Sequence, residues 1–274
     1  MRFDSSRFRA FVIDKQDKAL ANQSLQSFHT TRYYLKIEES IILIRMMDKS
    51  LDSNRLHRKK RSYTPPESPF IPPEDDLFIG SLNEEYNIIL NKYNVCENHI
   101  LLVTKEFEYQ NTPLEWKDFE AAWLSLQGSK ALVFYNSSSI AGASQQHRHL
   151  QWLPLPLFDE LNTDPIIFVK QYLDTHLIVG IKEFTTLPTA KELYEIYQNL
   201  LSRLKSQCKQ SEHYNLLLTH KGMALIPRHS SQVEGISINS LAFCGSLFVT
   251  NEQQKEYIET KGLRDLLKQA AYPV

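Results

Sequence analysis

Residues 136–154 read NSSSIAGASQQHRHLQWLP, and no other stretch narrows the possible folds as far. Small and polar residues lead into a dense His-X-His-X-Gln segment. Successive side chains of a strand face opposite ways, so His147, His149 and Gln151 share one face and Arg148, Leu150 and Trp152 the other. Three polar groups then converge on one side. Just upstream, Gly142, Ala143, Ser144 and Gln145 offer a small-residue backbone whose N–H groups can approach an anion, with a hydroxyl and an amide beside them. That combination suits a phosphate.

Neutral histidine is both a nucleophile and a proton carrier near pH 7, so the pattern supports phosphoryl or nucleotidyl transfer through a phosphohistidine. Paired histidines also suit a metal site, or a polar strand face with no chemistry. The Gly-Ala-Ser-Gln prefix shifts the balance toward phosphate.

The chain has 274 residues, enough for one large domain or two fused small ones. A net charge of −1 argues against nonspecific nucleic-acid binding, since no basic excess displaces counterions. Cys96, Cys208 and Cys244 are odd in number and scattered, which reads as a reducing compartment and not a disulfide framework. No signal-peptide or membrane-spanning apolar run is present, so the expectation is a soluble cytoplasmic protein.

In order, residues 1–27 begin helical and 28–37 lean to strand. Residues 48–76, polar and then proline-rich, read as an extended, mobile loop that carries the basic cluster 58–61. Residues 86–95 and 99–105 alternate as a hairpin with Glu97 and Asn98 in the turn. Thr112-Pro113-Leu114-Glu115 predicts a threonine-capped helix start, with Trp116, Phe119 and Trp123 facing a core and Gly128 ending the helix. Residues 131–135 form a buried strand that delivers Asn136. Further on, 176–184 reads as strand, 190–204 as an amphipathic helix, 241–250 as strand, and 257–270 as one closing helix. Tyr86–Asn91 faintly echoes Tyr214–Thr219, which suggests two similar α+β halves.

At the His-X-His-X-Gln residues the chain resembles the histidine triad superfamily, whose signature is His-X-His-X-His followed by apolar residues; here Gln151 stands third. Members with glutamine there are nucleotidyltransferases, of the galactose-1-phosphate uridylyltransferase branch or the diadenosine tetraphosphate phosphorylase (ATP adenylyltransferase) branch. The second fits better. Its pattern is similar to Asn91–Val95, His99, Leu101–Glu106, Phe134–Asn136, Gly142–Gln145, Tyr214–Thr219, Ile226–Arg228, and Asn239–Ser240 leading into Phe243–Gly245. The uridylyltransferase usually has proline where Arg148 stands, and a Cys-X-X-Cys zinc site that this chain lacks.

The resemblance implies a histidine-triad-like antiparallel sheet with packed helices, fused as a pseudo-dimer. Residues 1–68 match loosely, about 69–160 form the catalytic half, and about 161–274 a degenerate half. It implies phosphorolysis of a dinucleoside polyphosphate, with diadenosine tetraphosphate and phosphate giving ATP and ADP. His149 is then the nucleophile, His147 orients the neighbouring backbone or bound phosphate, and Gln151 favours phosphate over water as acceptor. Gly142, Ala143, Ser144 and Gln145 cradle the phosphates beside Asn136. By resemblance, Lys59, Asn91, Lys92, Asn239, Ser240 and Leu241 contact substrate. The family's usual methionine and lysine align with Ser246 and Thr250. No tightly bound cofactor is expected beyond magnesium travelling with the polyphosphate, and the chain is expected to be a monomer. A sugar-1-phosphate nucleotidyltransferase, a metal-dependent hydrolase using both histidines, and a silent nucleotide-binding module are the rivals.

Overall fold

The computed structural model describes residues 8–37, 40–48, 65–161, 163–208 and 212–274. An eight-stranded sheet dominates. Its strands are β3 (Phe78–Ser81), β4 (Tyr86–Leu90), β5 (Ile100–Thr104), β6 (Ala131–Asn136), β7 (His149–Pro154), β8 (Gly180–Glu183), β9 (Tyr214–Thr219) and β10 (Gly222–Pro227). They lie in the order β3-β4-β5-β7-β6-β9-β10-β8, and every neighbouring pair is antiparallel.

Alternation assigns the two faces. Leu150 and Trp152 of β7 join Val133, Tyr135, Leu216 and Leu218 in a core covered by three helices, α1 (Phe8–Ala21), α2 (Trp116–Leu126) and α4 (Ala190–Gln207). Helix α4 buries Leu193, Tyr197, Leu200 and Leu204, the spacing of one helical stripe. The opposite face packs Phe134, Leu153, Leu217 and Ile226 against α3 (Pro165–Tyr172), α5 (Glu252–Lys261), α6 (Leu263–Lys268) and a small second sheet. That sheet has β2 (Ser40–Met47) at its centre, antiparallel to β1 (Thr30–Ile37) and parallel to β13 (Ser246–Val249). A two-stranded ribbon, β11 (Gln232–Val233) and β12 (Ile236–Ser237), completes the fold. Among the described residues, no helix is long and apolar enough to cross a membrane.

The expected doubling is visible in the topology, though not where the echo placed it. The order β5-α2-β6-β7 is repeated by β8-α4-β9-β10, and the two units join through the antiparallel pair β6–β9. In register, Phe134 opposes Gln151 just as Leu217 opposes Ala224. Strand β9 is therefore the counterpart of β6, and β4, the strand of the echo, lies outside the repeated unit.

Other expectations shift locally. Helix α2 begins at Trp116 with Glu115 as its cap and Asp118 closing the capping box, because the Thr112 hydroxyl is taken by Arg148. Phe119 is buried as expected, but Trp116 is half exposed at the margin of the buried stripe. The apolar run 241–250 splits into a 3-10 turn (Ser240–Cys244), capped by Asn239 and ended by Gly245 at φ 75°, followed by β13. Gly262, at φ 80°, breaks the closing helix into α5 and α6. Residues 65–76, the described part of the expected loop, bring Ser68 and Phe70 into the interior beside β7.

Candidate active site

His149, the first residue of β7, is buried at 3% exposure on the floor of a cavity of about 490 Å³. Its Nδ1 lies 2.8 Å from the carbonyl oxygen of His147 and must donate to it, so Nε2 keeps its lone pair. Burial pulls its pKa from 6.5 to about 4, with the neighbouring His147 a lesser lowering cause, and the ring is neutral near pH 7. Gln110 fixes the backbone at both His149 N (2.8 Å) and His149 O (3.3 Å), and the Phe70 ring stands edge-on, 5.4 Å away. A neutral, oriented imidazole is a competent nucleophile.

His147 has a different job. Its Nε2 donates to Thr104 O at 2.9 Å and meets Thr104 Oγ1 at 2.8 Å, which leaves Nδ1 to accept from Ser68 Oγ at 2.5 Å. Both ring nitrogens are engaged by protein, so His147 orients backbone and has no free nitrogen for a phosphate or a metal. No group of three or more potential metal-ligating His, Cys, Asp or Glu side chains occurs among the described residues.

Gln151 presents its amide with a defined polarity. Asn91 Nδ2 donates to His99 Nδ1 at 3.1 Å, and His99 Nε2 donates to Gln151 Oε1 at 3.0 Å. With its oxygen occupied, Gln151 offers its NH₂ to the cavity. Burial also holds His99 at about 4, so this relay stays neutral. Asn136 repeats the device: its Oδ1 accepts from Asn215 Nδ2 (2.8 Å), Ser240 Oγ (2.7 Å) and Ser240 N (3.1 Å), freeing Nδ2 for the cavity. His99, Ser68 and Phe70 went unassigned in the sequence reading; the hairpin placed His99 beside the site without revealing its partner.

The cradle is narrower than expected. The N–H groups of Gly142 and Ala143 close a turn onto Ser139 O and Ser138 O, so only Ser144 and Gln145 have backbone N–H groups without a partner among the described residues. Gly142 is needed for shape: at φ 96° a Cβ would lie 2.8 Å from both Ile238 O and Asn239 Cβ. Gly142→Ala is expected to cost about 1–3 kcal/mol through backbone strain and that clash, read as a lowered midpoint in denaturant unfolding.

Asn239 and Leu241 line the cavity, while Ser240 is buried behind it as the anchor of Asn136. Asn91 and Lys92 line it too, but Lys92 Nζ is paired with both oxygens of Glu74, at 2.8 and 2.6 Å. The lysine expected as a phosphate contact is thus neutralised by a carboxylate in the supposed loop. Lys59 lies outside the described residues. A fully buried residue, Arg228, ties the shell together. It donates to Asn215 Oδ1, Ala141 O (3.3 Å), Ile238 O (3.0 Å), Ala270 O (3.0 Å) and Ser230 O (2.6 Å).

Two neutral buried imidazoles make stability depend on pH. The unfolded chain takes up their protons near pH 6.5 and the folded chain only near 4. Their stabilising contribution is therefore complete above 6.5, declines as pH falls toward 4, and is gone below it. Thermal melts are expected to show Tm climbing from pH 4 to 6.5; a flat profile would contradict the neutral assignment.

The arrangement lets an imidazole attack phosphorus while neutral amide and backbone donors hold the oxygens. Comparison with known proteins gives the family. The family model for the Ap4A phosphorylase N-terminal domain matches residues 1–172, including the stretch that had matched loosely, and that for the ATP adenylyltransferase C-terminal domain matches residues 170–273. The chain belongs to the Ap4A phosphorylase family. Protein APA1 of Saccharomyces cerevisiae is 26% identical over 96% of this chain and 94% of its own. The same yeast's diadenosine 5',5'''-P1,P4-tetraphosphate phosphorylase 2 is 28% identical over 83% of this chain and 79% of its own. The crystal structure of yeast Ap4A phosphorylase Apa2 in complex with AMP shares the fold, with a TM-score of 0.80 at 24% identity, covering 100% of this chain and 99% of that one.

Proposed function

We propose that this nucleotidyltransferase splits diadenosine tetraphosphate with inorganic phosphate, giving ATP and ADP, and that the reaction is reversible. The observation that carries the reading is the free Nε2 of a buried, neutral His149, facing a cavity edged by the Gln151 and Asn136 amides. Family membership and the two yeast relatives support the substrate.

In the first step Nε2 attacks the α-phosphorus, a P–N bond forms, and the bridging P–O bond breaks with its electron pair leaving on ATP. Phosphate then attacks the same phosphorus, the P–N bond breaks, and ADP departs. His147 is a positioning residue whose carbonyl holds His149 in the reactive tautomer. The NH₂ of Gln151 and the N–H groups of Ser144 and Gln145 meet the charge gathering on the equatorial oxygens. Gln151 is also a poor acid or base, which favours transfer to phosphate over activation of water. Among the described cavity residues Glu74 is the carboxylate, and it is paired with Lys92, so magnesium would be carried by the substrate's own phosphates. We place the enzyme in the cytoplasm, acting as a monomer.

Incubation with diadenosine tetraphosphate, with and without phosphate, tests the reading. Equal ATP and ADP appearing only with phosphate supports it. Release of AMP in water at the same rate, or dependence on galactose-1-phosphate, overturns it. Within this scheme, His99→Phe is expected to lower kcat about 10–100-fold while KM changes by less than about threefold, because the Gln151 amide loses its fixed polarity. Steady-state kinetics reads both numbers.

A further inference from the structure

Arg45 is a buried cation that the scheme above does not use. It sits on β2, the central strand of the small sheet, is 5% exposed, and lines the cavity together with Cys96, Ser246, Leu247 and Phe248. Its Nη1 donates to Ser246 Oγ at 2.7 Å, and among the described residues no carboxylate pairs with it. Among the described residues, two other cations of this region have carboxylates, Lys92 with Glu74 and Arg148 with Asp118 and Glu108; Arg228 has none, but its donors are all taken by carbonyls and Asn215 behind the cavity.

A guanidinium carries five N–H donors, and one hydrogen bond to a hydroxyl neither uses them nor cancels the charge. Leaving such a charge buried is costly unless something else supplies the counter-charge. None of the Arg45 nitrogens is among the fully enclosed orphan atoms, which places its spare donors on the open cavity. The catalytic end is held neutral, since His99, His149 and the amides bring no positive charge. Among the described residues, a polyphosphate entering this cavity therefore meets an uncompensated cation at Arg45. A base edge could accept hydrogen bonds there but would leave the charge unanswered.

We infer that Arg45, braced by Ser246, binds anionic oxygens of the polyphosphate beyond the phosphorus that His149 attacks. This rests on the proposed function, and it adds a phosphate-holding residue that the sequence did not single out.

The test is calorimetric binding of ATP and of AMP to wild type, Arg45→Met and Arg45→Lys, with Tm of the ligand-free proteins alongside. Arg45→Met is expected to weaken ATP binding roughly 30-fold, as loss of a charge-assisted contact should, and to leave AMP within about twofold. Its ligand-free Tm should stay level or rise, since an unpaired buried charge is gone. Arg45→Lys should recover most ATP binding. Unchanged ATP binding in Arg45→Met overturns the inference, as does parallel weakening of ATP and AMP, which would mark a nucleoside-side or merely structural role. Should Arg45→Met fold poorly, the ATP-to-AMP ratio in Arg45→Lys and Arg45→Gln decides: a ratio unchanged in both overturns it. If wild type binds neither nucleotide, the functional reading falls and takes this inference with it.

Discussion

Replacing His149 with alanine is expected to slow transfer by about four orders of magnitude or more and to abolish the acid-labile adduct of AMP mass. The reason is local. Among the described residues no other imidazole could take over: His147 has both nitrogens bound to Ser68 and Thr104, and His99 lies in the relay to Gln151. The fold should tolerate the change, because the His149 ring makes one hydrogen bond, to the carbonyl of His147. Acid-quenched mass spectrometry of wild type and variant reads the adduct directly, and a variant that keeps its activity would sink the histidine mechanism. A polar substitute such as His149→Asn should be equally inactive, since the lone pair of an amide nitrogen is delocalised into its carbonyl and does not attack.

Arg228→Met should have the largest effect on stability. The guanidinium satisfies Asn215 and four backbone carbonyls in a place where no solvent reaches. Ala141 O keeps Asn215 Nδ2 and Ala270 O keeps His229 N, but Asn215 Oδ1, Ile238 O and Ser230 O are left without a partner among the described residues; at about 1–3 kcal/mol for each orphaned acceptor the loss is expected at roughly 4 kcal/mol. Ala141 and Ile238 lie beside the Gly142 turn and the Asn239 cap, so nucleotide binding should fail with the fold. Denaturant unfolding checks the first effect; a loss under about 1 kcal/mol would mean that the knot is slack.

The catalytic strand was legible because period-two alternation is a local property, and it put His149 and Gln151 on one face and Arg148 and Trp152 on the other. Asn136 was legible as the end of a buried strand. Its pairing with Ser240 across 104 residues was not, because it depends on how the chain returns. The same applies to Ser68 and Phe70, whose neighbouring prolines read locally as loop, and to Glu74, which pairs with Lys92. Thr112 made a sound helix cap on local grounds until Arg148, 36 residues later, claimed its hydroxyl. The apolar run 241–250 read as one strand because hydrophobicity does not distinguish a 3-10 turn from β structure; Asn239 and Gly245 were the cues that did.

The mirrored pairing of β6 with β9 has a final consequence. Aligned from their first residues, β7 and β10 put Gly222 where His149 stands and Ala224 where Gln151 stands. A side chain at Gly222 would come within 2.8 Å of Ile166, so that second position is filled as well as silent. Yet the silent unit's continuation supplies Asn239, Leu241 and Ser246 to the wall of the working cavity. Both halves of the chain thus wall the same cavity. A cavity walled from both halves can change on the silent side, at Leu241 for example, without touching His149 or Gln151.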